Sequence, residues 1–120
     1  MFINVSNHPS SRWSDDQREA ALALGGEIRD IQFPNVPALA TSDDVLDMAF
    51  DLANEIAAIS QGVVAMVQGE FSLTIAVVNR LHAHGVKCVV ACSEREVVET
   101  VANGETTKTA VFRFRQFREV

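Results

Sequence analysis

Residues 63–71, VVAMVQGEF, decide the fold of this 120-residue chain. The run from Val63 to Val67 is continuously apolar, which is typical of a strand covered on both faces. A largely apolar helix is predicted from Phe71 to His84, and a further central strand from Val86 to Ala91. Strand, helix and strand in this order favour two parallel strands joined by a right-handed crossover.

The segment before residue 63 repeats this alternation. Residues 1–5 are predicted to form a strand, and Ser14-Asp15-Asp16-Gln17 is a capping box that starts a helix ending near Leu24. A short, half-polar strand follows at residues 28–33. The next helix begins at Thr41 or Ser42, with acidic residues in its first turn. The order β-α-β-α-β-α-β indicates a parallel sheet with helices on both faces.

The C-terminal part departs from this pattern. Residues 96–102 and 105–114 are strand-like and flank Asn103-Gly104, a strong hairpin signal. We therefore expect a single α/β domain over residues 1–120. Its fold class is a Rossmann-like three-layer sandwich with a mainly parallel sheet plus a C-terminal antiparallel β-hairpin.

Composition excludes several classes of protein. The chain carries a net charge of −6, with ten acids and three arginines in residues 1–60 giving −7. This balance argues against binding to long nucleic acid. No apolar run approaches the roughly 18 residues of a membrane span, and the N-terminus lacks the pattern of a signal peptide. We expect a cytoplasmic protein with no membrane partner.

Polar residues are concentrated after the first strand, where an open α/β sheet binds ligands. His8 can move a proton near neutral pH, and Arg12 can pair with a phosphate. Trp13 is interpreted as a hydrophobic staple before Ser14; the alternative is that it stacks on a base. The other polar side chains can donate to phosphate or ribose oxygens; they are Ser6, Asn7, Ser10 and Ser11.

A second polar turn, Gln68-Gly69-Glu70, follows the third strand. Gly69 permits close backbone approach, and a helix starting near Phe71 would present free N–H groups to an anion. Glu70 is interpreted equally as a site residue or as a partner of the helix dipole. Ser93-Glu94-Arg95 is predicted to follow the fourth strand at the same edge, where Arg95 can close over a phosphate or form a surface salt bridge.

Metal and cofactor patterns are missing. His82 and His84 are two apart and point in different directions from a helix, and no Cys/His spacing suggests zinc. The turns match neither a P-loop nor a three-glycine dinucleotide fingerprint. Cys88 and Cys92 lie about 13 Å apart on one predicted strand. That is too far for a disulfide, so we interpret them as buried thiols.

The C-terminal stretch alternates aromatic and basic residues. A strand places Phe112 and Phe114 on one face, for the core or a subunit contact. It places Arg113 and Arg115 on the other face, toward a ligand or a partner subunit.

Taken together, these segments resemble the small CRISPR-associated ring nucleases of the Csx group, single-domain relatives of the CARF domain. The resemblance runs nearly end to end. Its motifs are Asn7-His8, Val67-Gln68-Gly69-Glu70-Phe71, Ser93-Glu94-Arg95 and the ending from Val111 to Arg118. It differs at Val120, where an aromatic residue is expected.

The resemblance implies a CARF-like homodimer that binds cyclic oligoadenylate, the second messenger of type III CRISPR defence. Members cleave this ring without metal and so switch off antiviral signalling. Cyclic tetra-adenylate is the expected ring. The ligand-binding residues would be Ser6, Asn7, Ser10, Gln68, Gly69, Glu70, Phe71, Ser93 and Arg95.

The residue types frame the chemistry that such a site needs. A ribose 2′-hydroxyl attacks the neighbouring phosphorus in line, and the phosphoryl oxygens must be stabilised. His8 is the candidate for proton transfer, with Ser11 and Arg12 for positioning and charge stabilisation. Two alternatives stay open: a module that sequesters the ring without cutting it, and a protein whose Arg/Phe tail docks a partner.

Overall fold

The computed structural model describes residues 1–120 and contains three α-helices and five β-strands. The elements are β1 (Phe2–Ser6), α1 (Asp15–Gly25), β2 (Ile28–Gln32), α2 (Ser42–Ala57), β3 (Val64–Gln68), α3 (Phe71–Ala83), β4 (Lys87–Ala102) and β5 (Glu105–Glu119). A single 3₁₀ turn, Ser10–Arg12, lies between β1 and α1.

The sheet has the strand order β2-β1-β3-β4-β5. The first four strands are parallel, whereas β5 pairs antiparallel with β4. β3 lies in the middle of the sheet and its side chains alternate between two buried clusters, which explains its continuously apolar sequence. The predicted α/β fold with a C-terminal antiparallel hairpin is confirmed.

Side chains alternate between the two faces of the sheet and build two cores. Ile3 and Val5 of β1 belong to a cluster of 15 buried residues shared with α2 and α3. Phe2 belongs to a second cluster of six buried residues, which includes Ala21 of α1. α1 therefore covers one face, and α2 and α3 cover the other.

The helix caps agree in part with the sequence patterns. Thr41, not Ser42, caps α2 and forms a reciprocal capping box with Asp44. Ser14 caps α1 by accepting from the backbone N–H of Gln17. The predicted return bond from the Gln17 side chain is absent, so this cap satisfies one donor only.

The hairpin is longer than the sequence suggests, and this corrects the prediction for Ser93-Glu94-Arg95. These three residues continue β4, which runs unbroken for 16 residues. Asn103 and Gly104 have φ of 53° and 77°, as a type I′ turn requires. We call residues 93–115 the β-arm; it contributes to an elongated shape of 56 × 38 × 21 Å.

A β-bulge at the base of the β-arm decides which aromatic residues join the core. Cys92 pairs with Gln116 and Ser93 pairs with Phe114, so Arg115 is an extra residue in β5. Because of this extra residue, Phe114 and Phe117 lie on the same face, with their ring centroids 4.9 Å apart.

Phe117 also packs on Phe2 and Trp13. Trp13 is only 5% exposed, which disfavours stacking on a base. It is not a hydrophobic staple either, because the position that a staple would contact in α1 is occupied by Arg18. Trp13 is a core residue.

None of the three α-helices combines the length and the apolar character that crossing a bilayer would require.

Candidate functional site

The polar turn after β1 lies at the topological switch point of the sheet. β1 leads into α1 on one face, whereas its neighbour β3 leads into α3 on the opposite face. The segments that follow the two strands diverge after Ser6 and Gln68, which are partners in the β1–β3 register. In open α/β sheets this crevice is the usual place for a ligand.

An open pocket of about 880 Å³ occupies this position on the α1 face. We call it the switch-point pocket. Its lining residues are Ser6, Asn7, His8, Arg12, Trp13, Ser14, Asp16, Gln17, Met66, Gln68, Ala91, Ser93, Val111, Phe112, Arg113, Phe114 and Arg115.

A buried polar network fixes the turn that carries His8. Asn4 is 1% exposed, and its Nδ2 donates to the His8 carbonyl at 2.9 Å. The Ser6 hydroxyl donates to Asn4 Oδ1 at 2.6 Å and also approaches the His8 carbonyl. Trp13 Nε1 donates to that carbonyl as well, and the His8 N–H donates to Ser6 Oγ. Hydrogen bonds from Asn4 and Trp13 and one to Ser6 therefore hold the backbone at His8, while its exposed side chain makes no hydrogen bond.

β2 holds the same turn from the other side. Asn4 Nδ2 also donates to Asp30 Oδ1, while the amide and hydroxyl of Ser10 donate to Asp30 Oδ2. Gln32 Nε2 donates to Asn7 Oδ1 at 2.8 Å. Ser10 thus has a structural role and does not line the pocket, in contrast to its prediction as a ligand residue. Ser11 is exposed and also lies outside the pocket lining.

Arg12 is the free positive charge of the turn. Its exposed side chain makes no ion pair, whereas Arg18 bonds the Ser10 carbonyl and approaches Asp15. Two further arginines line the pocket, Arg113 and Arg115, but both are paired with carboxylates of β4. Arg12 is therefore the one arginine of the lining that has no ion pair.

Gln68 joins two strands that separate at the pocket. The β3–β4 pairing ends at Met66 and Val89, and the Gln68 side chain then accepts from the backbone N–H of Ala91 at 2.7 Å. Ser93 follows on β4 and lines the pocket. Both residues thus line the same pocket as the loop after β1, with Ser93 inside β4 and not after it.

The turn after Gln68 does not present the expected anion site. Glu70 caps α3, accepting from the N–H groups of Ser72 and Leu73 and from the Ser72 hydroxyl. These bonds, that from Leu73 foremost, hold the pKa of Glu70 below its ordinary value. The Glu70 carboxylate therefore already occupies the free N–H groups at the N-terminus of α3. This favours the interpretation of Glu70 as a partner of the helix dipole.

Gly69 and Phe71 also lie outside the pocket lining. A Cβ at Gly69 would overlap the ring of Phe33, so packing requires glycine there. Phe71 is 76% exposed at the start of α3.

The arginines of β5 bond acidic residues of β4. Arg113 pairs with Glu96, and Arg115 pairs with both Glu94 and Glu96. The hydrogen bond to Glu96 and its charge raise the pKa of Arg113. Arg113 and Arg115 thus reach the same carboxylate, Glu96, whereas Phe114 packs on Phe117.

Sequence reasoning missed the residues that support the site. Asn4 is a polar residue within the apolar strand FINVS, and that anomaly was the available signal. Asp30 gave no signal, because its role depends on the pairing of β2 with β1.

Side chains that commonly bind metals are dispersed. No three His, Cys, Asp or Glu side chains come together in a group that could hold an ion. His82 bonds the Val120 carbonyl at 2.9 Å, away from the pocket.

A search of curated proteins and a search of solved structures each found no match. The model of the family described as "Uncharacterized protein MJ1673 family" matches residues 1–118. This chain therefore belongs to the MJ1673 family.

Proposed function

We propose that this chain is a metal-independent ring nuclease that binds and cleaves cyclic oligoadenylate, with cyclic tetra-adenylate as the expected ring. Cleavage would switch off type III CRISPR signalling in the cytoplasm. The observation that carries the proposal is that one hydrogen-bonded turn at the switch point carries both an exposed histidine, His8, and an arginine without an ion pair, Arg12. The identity of the substrate is inferred from the resemblance to Csx-group enzymes.

The turn suits a phosphodiester for electrostatic reasons. Arg12 has no carboxylate partner to displace before it binds a phosphate. Asn7 uses its oxygen toward Gln32 and keeps its amide nitrogen free to donate. A bidentate arginine–phosphate pair is among the stronger charge-assisted contacts.

The proposed reaction is an internal transesterification. The 2′-oxygen of one ribose forms a bond to the adjacent phosphorus, and the bond from phosphorus to the 5′-oxygen breaks. The 2′-hydroxyl proton is removed and a proton is delivered to the leaving 5′-oxygen, with His8 carrying this transfer. The products are a 2′,3′-cyclic phosphate and a free 5′-hydroxyl. Arg12 stabilises charge on the phosphoryl oxygens.

A homodimer completes the proposal. A cyclic oligoadenylate repeats the same ribose phosphate around the ring, so two pockets across a two-fold axis would each engage half of it. Phe71, at the start of α3, is 76% exposed and offers apolar contact surface near this edge. Sedimentation that shows only a 13.1 kDa species at micromolar concentration would contradict the dimer.

The test is product analysis with pure protein. Cyclic tetra- and hexa-adenylate are incubated with and without EDTA, and products are separated by chromatography and identified by mass. We expect EDTA-resistant cleavage, with His8→Ala lowering the single-turnover rate by roughly 10²–10⁴-fold. Arg12→Ala should weaken both binding and rate. His84→Ala is the matched control, because His84 is exposed at the C-terminus of α3, outside the pocket lining.

One observation favours a second candidate, a module that binds the ring without cutting it. The His8 side chain has no hydrogen-bond partner to fix its tautomer, whereas a catalytic histidine is usually oriented by one. Recovery of intact ring bound to the protein would support this candidate. No binding of either ring would contradict both.

A further inference from the structure

The β-arm carries an aromatic ring and a cation side by side on one face. Phe112 pairs directly with Arg95 across β4 and β5. Cross-strand partners have Cβ atoms about 4.5–5.5 Å apart, close enough to contact one ligand group together. Phe112 is 69% exposed and lines the switch-point pocket, so Arg95 lies beside a lining residue without lining the pocket itself.

Arg95 differs from every other cation of the β-arm. Lys108 pairs with Glu99, Arg113 with Glu96, and Arg115 with Glu94 and Glu96. Arg95 is exposed and makes no ion pair or hydrogen bond, and the one cation–π contact of the molecule is between Arg80 and Phe50. Its guanidinium is therefore available to an external anion.

We propose that Phe112 and Arg95 form a nucleotide subsite, in which a base stacks on Phe112 and a phosphate pairs with Arg95. This inference rests on the proposed function and extends the switch-point pocket along the β-arm. Aromatic side chains bind nucleobases by stacking, and arginine binds phosphate through its planar fork. The subsite gives Arg95 a ligand role even though it lies outside the pocket lining.

The composition of this face favours a nucleotide over a protein partner. Beyond Phe112 and Val97, the Glu99–Lys108 ion pair crosses the same face and separates Val97 from Val101. The exposed large apolar side chains on this side of the ion pair are Phe112 and Val97, next to the half-buried Phe114, and this small area suits a base. A stable protein interface needs a larger continuous core.

The test is calorimetric binding of cyclic tetra-adenylate to the parent chain and four variants. Loss of one base stack in Phe112→Ala should raise Kd by about 5- to 150-fold, and Phe112→Tyr should restore most of the affinity. Arg95→Gln should weaken binding and reduce the slope of log K against log salt by about 0.7, as expected for one phosphate contact. Phe50→Ala is the matched control, since Phe50 is exposed on α2, on the opposite face.

The outcomes separate this subsite from the function on which it rests. If the parent binds the ring and Phe112→Ala binds equally well, the subsite is wrong and the proposed function stands. If Phe112→Ala changes the sedimentation coefficient but not Kd, the face is a protein interface and the subsite is also wrong. If the parent binds no ring, the proposed function is wrong and the subsite with it.

Discussion

Replacing Asn4 by alanine should destabilise the protein and also impair a site that Asn4 does not line. The side chain makes three hydrogen bonds: its Nδ2 donates to the His8 carbonyl and to Asp30, and its Oδ1 accepts from Ser6. At a net 0.5–1.5 kcal/mol per bond, Asn4→Ala should cost about 1.5–4.5 kcal/mol in the free energy of unfolding. That is a large fraction of the roughly 5–15 kcal/mol of a typical domain.

The assay is urea unfolding followed by circular dichroism, with Asn79→Ala as the matched control. Asn79 is exposed on α3 and makes no side-chain hydrogen bond, so its replacement should change stability by less than about 0.5 kcal/mol. In conditions where Asn4→Ala is fully folded, its ring binding and cleavage should still be reduced, because the His8 carbonyl loses the Asn4 donor and keeps that of Trp13. An Asn4→Ala protein as stable and active as the parent would refute the role assigned to this network.

Three further predictions concern groups around α3 and β4. Gly69→Ala should destabilise the protein by about 1–3 kcal/mol, because its Cβ would overlap Phe33; the double variant with Phe33→Leu, measured by thermal unfolding, should recover part of the loss. The lowered pKa of Glu70 contributes stability that is complete above its unfolded pKa near 4.5 and is lost as pH falls through the folded value, so Glu70→Gln should flatten the acid unfolding curve below about pH 4.5. Burial raises the pKa of the Cys88 thiol from 9.0 to about 11, so stability should fall as pH rises between these values. Cys88→Ala should remove that part of the fall, and the absence of tyrosine leaves few other groups titrating there.

The parallel part of the fold was predictable because burial leaves a strong pattern. The unbroken apolar run of β3 and the capped starts of α1 and α2 indicate their elements without reference to the rest of the chain. The Asn103-Gly104 turn was equally predictable, since few dipeptides adopt positive φ at both positions.

The β-arm and the bulge were not predictable in the same way. Ser93-Glu94-Arg95 suggested a loop because an exposed two-stranded ribbon has no buried face to impose alternation. The role of Phe117 depends on the extra residue at Arg115, and a bulge leaves no signal in composition.

The candidate site was predictable in position but not in its internal bonds. His8, Arg12 and Gln68 were placed at the carboxyl edge by the strand order alone, and they line one pocket. The partners of Ser10 and Glu70 follow from which donors and acceptors the fold brings within reach. Those contacts depend on tertiary structure that residue types do not specify.

The most direct test of the central claim is an NMR titration of the ¹⁵N-labelled chain with cyclic tetra-adenylate. We predict saturable shifts of the backbone amides from Ser6 to Arg12 and of Gln68, with little change at Gly62 and Gly85, which line a pocket at the opposite, amino-terminal edge of the sheet. Shifts confined to that amino-terminal edge, or no shifts at millimolar concentrations of cyclic tetra-adenylate, would contradict the assignment of the switch-point pocket as a cyclic oligoadenylate site.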